Sequence, residues 1–197
     1  MKQINLFDSS EDPIVGSKEV DGFEIVYADP PWEYDQHFFN QKRTSTGSVN
    51  CHYPTMTIDQ IAALKVESIV ADNALLYIWT TGPYLAKTFP IIAAWGFEYV
   101  TVGFVWDKVK SCPGNYTNSH CEYVLIGRRG SIPQPRGRRD IHQMFYERKT
   151  IHSRKPATIR RWIEEMHPTQ KKIELFARIA ARGWSNWGNE LDTNIKL

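Results

Sequence analysis

The sequence predicts an α/β fold in which helices cover both faces of a doubly wound, mostly parallel sheet of Rossmann-like form. Three observations support this prediction. Apolar runs alternate with segments of helical periodicity, as expected for connected parallel strands. The run at residues 74–79 carries no charge, which is typical of a strand buried on both faces. The run Phe23–Ala28 leads directly to Asp29, and ligands in such folds bind beyond the carboxyl ends of strands.

The first helix is predicted from its start signal. Thr57 and Gln60 have the spacing of a capping box, in which each side chain bonds the backbone of the other. The apolar periodicity that follows predicts a helix over residues 58–66. The uncharged run at 74–79 is then the next strand.

Proline and glycine mark the second helix. Pro83 suits a first helical turn and Gly96 a helix end, so residues 83–95 are predicted to be helical, with Pro90 kinking or dividing the helix. A third helix is predicted at Ala157–Met166, before a His-Pro pair. The remaining strands are predicted at residues 99–106, 123–127, 172–177 and 184–188.

Length and composition indicate one enzyme-sized domain. The chain has 197 residues and 42% hydrophobic content, enough to bury a core over residues 1–197. We expect an N-terminal extension at 1–20 and mobile loops at 36–50 and 128–140. No run reaches the roughly 20 apolar residues of a membrane span, and no export signal precedes the first strand. These features favour the cytoplasm and give no reason to expect a membrane partner.

The three cysteines do not suggest a disulfide framework, because their number is odd and their spacing irregular. A reducing compartment fits them better. Cys112, His120 and Cys121 are residue types that bind metals, but they lack paired C-x-x-C spacing. No metal is therefore expected.

The net charge of +2 conceals a strongly basic segment. Two acidic residues, Asp140 and Glu147, lie between Arg128 and Arg161, where eleven basic residues occur: Arg128, Arg129, Arg136, Arg138, Arg139, Arg148, Lys149, Arg154, Lys155, Arg160 and Arg161. Such an excess suits phosphate binding. Glycine and proline break the part from Arg128 to Arg139, which predicts an extended loop that contacts nucleic acid through Arg136, Arg138 and Arg139. A solvated loop that serves solubility is the alternative.

The junction after the first strand suggests a pocket for a flat base with an exocyclic amine. Asp29 can accept one amine hydrogen and the Pro30 carbonyl the other, while proline removes competing backbone donors. Pro31 stiffens the turn, and Trp32 offers an aromatic face for stacking. A simple strand end stopped by proline is the alternative.

Asp29-Pro30-Pro31-Trp32, with the blocks that follow, resembles the N6-adenine methyltransferase family typified by the eukaryotic mRNA adenosine methyltransferase, with its bacterial and phage DNA-modifying relatives. The resemblance runs from about Phe23 to Leu191. It implies an S-adenosylmethionine-dependent methyltransferase fold, with S-adenosylmethionine as methyl donor. The donor-binding residues that it implies are Asp29, Lys155, Glu174, Phe176, Arg178, Asn189 and Glu190. A surface ion pair is the alternative for Arg178 and Glu190.

Two further residues are assigned to the substrate base by resemblance. Tyr53 falls just after the catalytic loop and would wall the pocket, unless it is a core tyrosine. Glu122 falls where the family has an acid near the base, unless it only pairs with an arginine.

The sequence therefore predicts methylation of the N6 amine of adenine, in DNA rather than RNA, with the base extruded from the duplex. The alternatives are N6-adenosine methylation of RNA and a catalytically inactive nucleic-acid-binding partner. Target sequence, strand preference, oligomeric state and an associated restriction enzyme do not follow from the sequence, and a homodimer remains open.

Overall fold

The computed structural model describes residues 22–33, 54–112, 116–148 and 155–197, without the side chains of 111 and 112. Its strands are β1 (Phe23–Ala28), β2 (Val70–Thr80), β3 (Glu98–Cys112), β4 (Ser119–Arg129), β5 (Met144–Tyr146), β6 (Lys172–Leu175) and β7 (Ser185–Trp187). Its α-helices are α1 (Ile58–Ala62), α2 (Leu85–Ala94) and α3 (Ala157–Met166). Short 3-10 turns lie at Val66–Ile69 and Gly82–Tyr84. The predicted Tyr53 and the segments 1–20 and 36–50 lie outside the described residues.

The seven strands form one sheet in the order β5-β3-β4-β2-β1-β6-β7. β1 pairs in parallel with both β2 and β6, β6 with β7, and β3 with β5. β4 runs antiparallel to β2 and β3. The prediction of a mostly parallel α/β sheet is confirmed. The antiparallel β3-β4 pair was not predicted, because strand periodicity carries no information on direction.

Apolar side chains cover both faces of this sheet. One core cluster joins it to α1 and α2 through Ile61, Ile91 and Trp95. The other joins it to α3 through Ile159 and Ile163. The predicted doubly wound arrangement follows from these two clusters.

Several element boundaries differ from the sequence prediction. α1 has its predicted capping box but ends at Ala62, where the Trp95 indole donates to the Ile61 carbonyl and satisfies a group at the helix end. α2 continues through Pro90 without dividing. The carbonyl that loses its partner there belongs to Ala86, which is exposed, so water can bond it.

On the other side of the sheet, β6 ends at Leu175 because Phe176 adopts φ 60°. Arg128 and Arg129, predicted to lie in a loop, are the last residues of β4. β5, which begins at Met144, was not predicted. It has three residues, too few for a clear alternation of apolar and polar side chains.

Candidate active site

The turn after β1 is held by backbone hydrogen bonds. The Trp32 amide donates to the Pro30 carbonyl at 2.9 Å, which closes a three-residue turn over Pro31. The Met56 amide donates to the Pro31 carbonyl at 2.9 Å, and the Glu33 amide donates to the Met56 carbonyl at 3.2 Å. The turn that follows Asp29 is therefore held by a hydrogen bond within itself and by two hydrogen bonds to Met56.

The Trp32 ring lies in the core. Its residue is 5% exposed, and its ring stacks on Tyr84 with 5.2 Å between centroids. The Tyr84 hydroxyl donates to the Glu33 carbonyl, which ties the same turn to the start of α2. Trp32 thus anchors the turn by packing. The base-stacking role of Trp32 stays a prediction.

Two lysines and two carboxylates alternate beside this turn. The Lys155 ammonium lies 2.8 Å from Asp29 Oδ1 and 3.3 Å from Glu122 Oε2. Lys108 Nζ lies 3.5 Å from Glu122 Oε1. These residues come from the end of β1, from β3, from β4 and from the segment before α3. The sheet therefore brings together three residues predicted from the sequence, Asp29, Glu122 and Lys155.

Each charged group in this cluster lies beside a group of opposite charge. Burial by itself would lower the pKa of Lys155, but the Asp29 and Glu122 carboxylates together outweigh it and leave the pKa raised. Lys155 is consequently a cation at neutral pH, and its 2.8 Å contact with Asp29 is made to Oδ1.

The predicted donor-binding residues follow β6, the parallel neighbour of β1. Ala28 pairs with Leu175, so Asp29 and the chain after Leu175 leave the sheet at the same edge, about 5 Å apart. There Arg178 Nε lies 4.0 Å from Glu190 Oε1. Asn189 is exposed beside Glu190.

Because Gly188 has no side chain, the chain after β7 can pass close to Ala177. A Cβ at position 188 would come 2.5 Å from the Ala177 carbonyl oxygen, too close for any other residue without a backbone shift. The Ala177 amide also donates to the Trp187 carbonyl at 3.0 Å. The chain after β7 is thereby held against the chain after β6, where Glu190 lies 4.0 Å from Arg178.

Glu174 and Phe176 have packing and pairing partners of their own. Glu174 accepts from Arg160 of α3 at 2.8 Å. Burial raises the pKa of Glu174, and the Arg160 hydrogen bond opposes that effect. The Phe176 ring meets the edge of Trp187 at 5.4 Å between centroids. Their donor-binding roles stay predictions.

Arg136, Arg138 and Arg139 lie near the end of α3 that is farther from Lys155. The Gly137 and Arg138 amides donate to the carbonyls of Met166 and Glu165, at the end of α3. Since α3 begins two residues after Lys155 and has ten residues, this end lies about 15 Å from Lys155 along the helix. Arg136 and Arg139 are exposed there. Their contact with nucleic acid stays a prediction.

Lys108 was missed by the sequence interpretation. It is 8% exposed, unusual for lysine. Its signal was present, because Lys108 stands two positions after Trp106 in β3 and so faces the same side as that core residue. A charged residue on the apolar face of a strand, near the carboxyl end of that strand, is a candidate site residue. Arg160, the partner of Glu174, carried no such signal.

Two classes of feature are absent from the described segments. His, Cys, Asp and Glu side chains there form no group of three or more that could hold a metal ion. His120 instead lies 3.6 Å from Asp107, and Cys121 is a free thiol. Among the helices of the described residues, none has the length and hydrophobicity needed to cross a bilayer.

The fold and the site define an S-adenosylmethionine-dependent methyltransferase. The MT-A70 family model matches residues 23–190, and the chain belongs to that family. It is 41% identical over 184 residues to the type II methyltransferase M.MunI of a Mycoplasma species, covering 87% of this chain and 79% of that protein.

More distant relatives carry N(6)-adenosine-methyltransferase names. The MT-A70-like protein of Arabidopsis thaliana is 29% identical over 180 residues. The human catalytic subunit METTL3 is 28% identical over 181 residues. Each match covers 86% of this chain, but only 24% of the plant protein and 28% of the human one. The chain thus spans about a quarter of the length of these two relatives.

Proposed function

We propose that this protein transfers a methyl group from S-adenosylmethionine to the N6 amine of adenine in DNA. The observation that carries the proposal is the position of Asp29, which leaves β1 beside the chain that carries Arg178 and Glu190 after β6. One edge of the sheet thereby offers an acceptor for an amine and, on the neighbouring strand, a polar site for a donor.

The amine is activated by acceptors that face it. The N6 lone pair of adenine is delocalised into the ring, so the amine becomes a better nucleophile when its hydrogens are drawn away. Asp29 Oδ2 accepts one hydrogen in our proposal. The Pro30 carbonyl, which uses one lone pair for the Trp32 amide, accepts the other with its second. Asp29 then holds the proton that N6 loses when the new N–C bond forms.

The polar residues after β6 and β7 suit a donor that bears a ribose and an adenine. Arg178, Asn189 and Glu190 would meet its hydroxyls and base, with Lys155, Glu174 and Phe176 around it. This donor carries no phosphate, which agrees with the absence of a G-x-G-x-x-G motif from the sequence. When bound, S-adenosylmethionine supplies a methyl group that its sulfonium makes electrophilic.

The relatives favour DNA over RNA as the polymer. The Mycoplasma relative is called a type II methyltransferase, a term used for DNA-modifying enzymes, and this chain matches 79% of its length at 41% identity. The N(6)-adenosine relatives are less similar and much longer. Adenine in a duplex must be extruded to reach Asp29. Glu122, Tyr53 and the arginines at positions 136, 138 and 139 are the proposed contacts with this substrate, and we place the reaction in the cytoplasm.

The test is a methyl-transfer assay that offers duplex DNA, single-stranded DNA and RNA side by side. We expect labelled methyl on DNA, recovered as N6-methyladenine, from the wild type. Asp29→Asn should remove at least about 99% of the activity, a loss of roughly 3 kcal/mol in transition-state stabilisation, and should still bind the donor. Methyl groups on cytosine, or full activity in Asp29→Asn, would contradict the proposal.

The same assay separates the two alternatives. Transfer to RNA alone would identify an N6-adenosine RNA methyltransferase, as the names of the longer relatives suggest. Binding of DNA without transfer or donor affinity would identify an inactive partner subunit. The alternating charges around Lys155 favour an active site, because a binding module needs no such arrangement.

A further inference from the structure

Two buried aromatic residues lie directly below the charged cluster. Trp79 in β2 is 1% exposed and Tyr27 in β1 is 4% exposed. The Trp79 indole donates to the Tyr27 hydroxyl at 2.6 Å. Both side chains belong to the core cluster on the α3 side of the sheet. The orientation of the indole about its own axis is therefore fixed by a hydrogen bond as well as by packing.

The face of this indole is turned to the ammonium of Lys155. Lys155 Nζ lies 5.3 Å from the centroid of the Trp79 ring, within the range of a cation–π interaction. Trp106 also contacts the indole, in an edge contact with 6.0 Å between centroids and 78° between planes. Trp106 in turn donates to the Glu147 carbonyl at 2.8 Å. The indole is thus held by two partners while its face receives the cation.

We propose that Trp79, oriented by Tyr27, is a positioning residue that holds the ammonium of Lys155 between Asp29 and Glu122. The role of this contact in catalysis rests on the proposed function, whereas the arrangement of Tyr27, Trp79 and Lys155 does not depend on it. A lysine side chain has many rotamers, and two carboxylates alone would let Lys155 move toward either of them. The indole face adds a third, uncharged contact, with negative potential toward the cation. The ammonium then stays between Asp29 Oδ1 and Glu122 Oε2, at 2.8 and 3.3 Å.

The Tyr27 hydroxyl is the hydrogen-bond acceptor of the Trp79 indole. Without this hydroxyl, the Trp79 N–H would be a buried donor with no acceptor, and the indole would rotate to find one. Such a rotation tilts the ring face away from Lys155. Tyr27→Phe therefore tests the proposal with the smallest change, because it keeps the ring and the core volume.

The direct test is an NMR measurement on the full chain with selectively ¹³C-labelled lysine. The Lys155 resonance is assigned by its disappearance in Lys155→Met. In the wild type we expect its Hε protons to be shifted upfield by the ring current of Trp79, and this shift should shrink in both Tyr27→Phe and Trp79→Leu. Tyr77→Phe is the matched control, because it removes a buried hydroxyl on the same sheet that bonds His167 and not Trp79. An unshifted Lys155 resonance in the wild type, or no change in Tyr27→Phe, overturns the proposal whether or not the protein is a methyltransferase.

A double-mutant cycle tests the link to catalysis. Tyr27→Phe should slow single-turnover methyl transfer by roughly threefold to tenfold in the wild type and by less than about twofold in Lys155→Met, since the effect passes through Lys155. Equal losses in both backgrounds would show that Tyr27 acts only through folding, and would overturn the positioning role. If no methyl transfer is found at all, the proposed function fails while the NMR result still decides the geometry.

Discussion

The Arg138 guanidinium lies 2.8 Å from the Glu165 carboxylate, at the end of α3 farthest from Lys155. The same arginine pairs with Asp140 at 2.6 Å, and its amide donates to the Glu165 carbonyl. Hydrogen bonds to Asp140 and Glu165 raise the pKa of Arg138. This residue closes the carboxyl end of a helix whose other end begins beside the active site.

The first prediction separates Arg138 from Arg139. We expect Arg138→Ala to lower the melting temperature, because α3 loses its terminal pairing. The same variant should change the salt dependence of DNA affinity less than Arg139→Ala does, because Asp140 and Glu165 already pair with the Arg138 guanidinium. Arg139→Ala should leave the melting temperature unchanged and reduce the slope of log affinity against log salt by about 1, as expected when one phosphate contact is lost. Thermal unfolding and DNA binding at several salt concentrations check both. The reverse pattern would assign the phosphate contact to Arg138.

The second prediction concerns Gly188. Gly188→Ala should weaken donor binding at least about tenfold, because a Cβ there meets the Ala177 backbone and displaces the following residues, Asn189 and Glu190. Isothermal titration with S-adenosylmethionine measures the loss. Gly82→Ala is the control, since a Cβ at that position has no neighbour within 4 Å. Equal affinity in the two variants would remove the close approach from the donor site.

The third prediction is a pH dependence of stability from His167. Burial first, then the charges of Arg136 and Lys172, lower the pKa of His167 to about 4. The unfolded chain takes up this proton near pH 6.5 and the folded chain only near pH 4, so the stability that the neutral form contributes is lost as pH falls through that interval. The loss reaches about 3 kcal/mol.

Denaturant unfolding between pH 7 and pH 4 measures this effect. In His167→Gln the decline over the interval should be flatter, since glutamine does not titrate. His142→Gln is the control, because His142 is exposed. A decline of equal steepness in wild type and His167→Gln would assign the pH dependence to other groups.

The fourth prediction uses the charge balance of Lys108, Glu122, Lys155 and Asp29. Glu122→Gln leaves this cluster with one excess positive charge, which disfavours a sulfonium. We expect the ratio of affinities for S-adenosylmethionine and S-adenosylhomocysteine to fall severalfold, because the second ligand lacks that charge. Adding Lys108→Met restores neutrality and should restore the ratio. A ratio that is equal in all three proteins would place the donor beyond the influence of these charges.

The sequence carried enough information for the parts of the fold that depend on local signals. β1 and α3 have their predicted bounds, since an apolar run stopped by Asp-Pro and an amphipathic segment stopped by His-Pro are strong local patterns. The antiparallel β3-β4 pair depends on contacts between distant residues, and β6 ends early, at Leu175, because Phe176 adopts a positive φ. Neither can be read from periodicity.

The site residues likewise divide into those that local sequence patterns identify and those that depend on contacts in the folded chain. Asp29, Lys155 and Glu122 were identified as candidates, and the structure brings them within hydrogen-bonding or ion-pair distance. The burial of Trp32 could not be anticipated, because its partner Tyr84 is 52 positions away and reaches it only in the folded chain. Lys108 carried a local signal, its position two residues after Trp106, but its partner Glu122 and the contact of Trp79 with Lys155 depend on the assembled sheet. Their side chains acquire a role only when β2, β3 and β4 are assembled.

The pairing of β1 with β6 has a consequence for synthesis. The Lys171 amide bonds the Glu24 carboxylate across 147 positions of sequence, so the last neighbour of β1 is made long after β1 itself. At about 5–20 residues per second, that interval lasts on the order of 10 s. During this interval the edge of β1 that pairs with β6 is unpaired, and an unpaired strand edge can pair with a strand of another chain. The Asp29 turn is therefore synthesised early, whereas β6 and the proposed donor residues from Arg178 to Glu190 follow long after it.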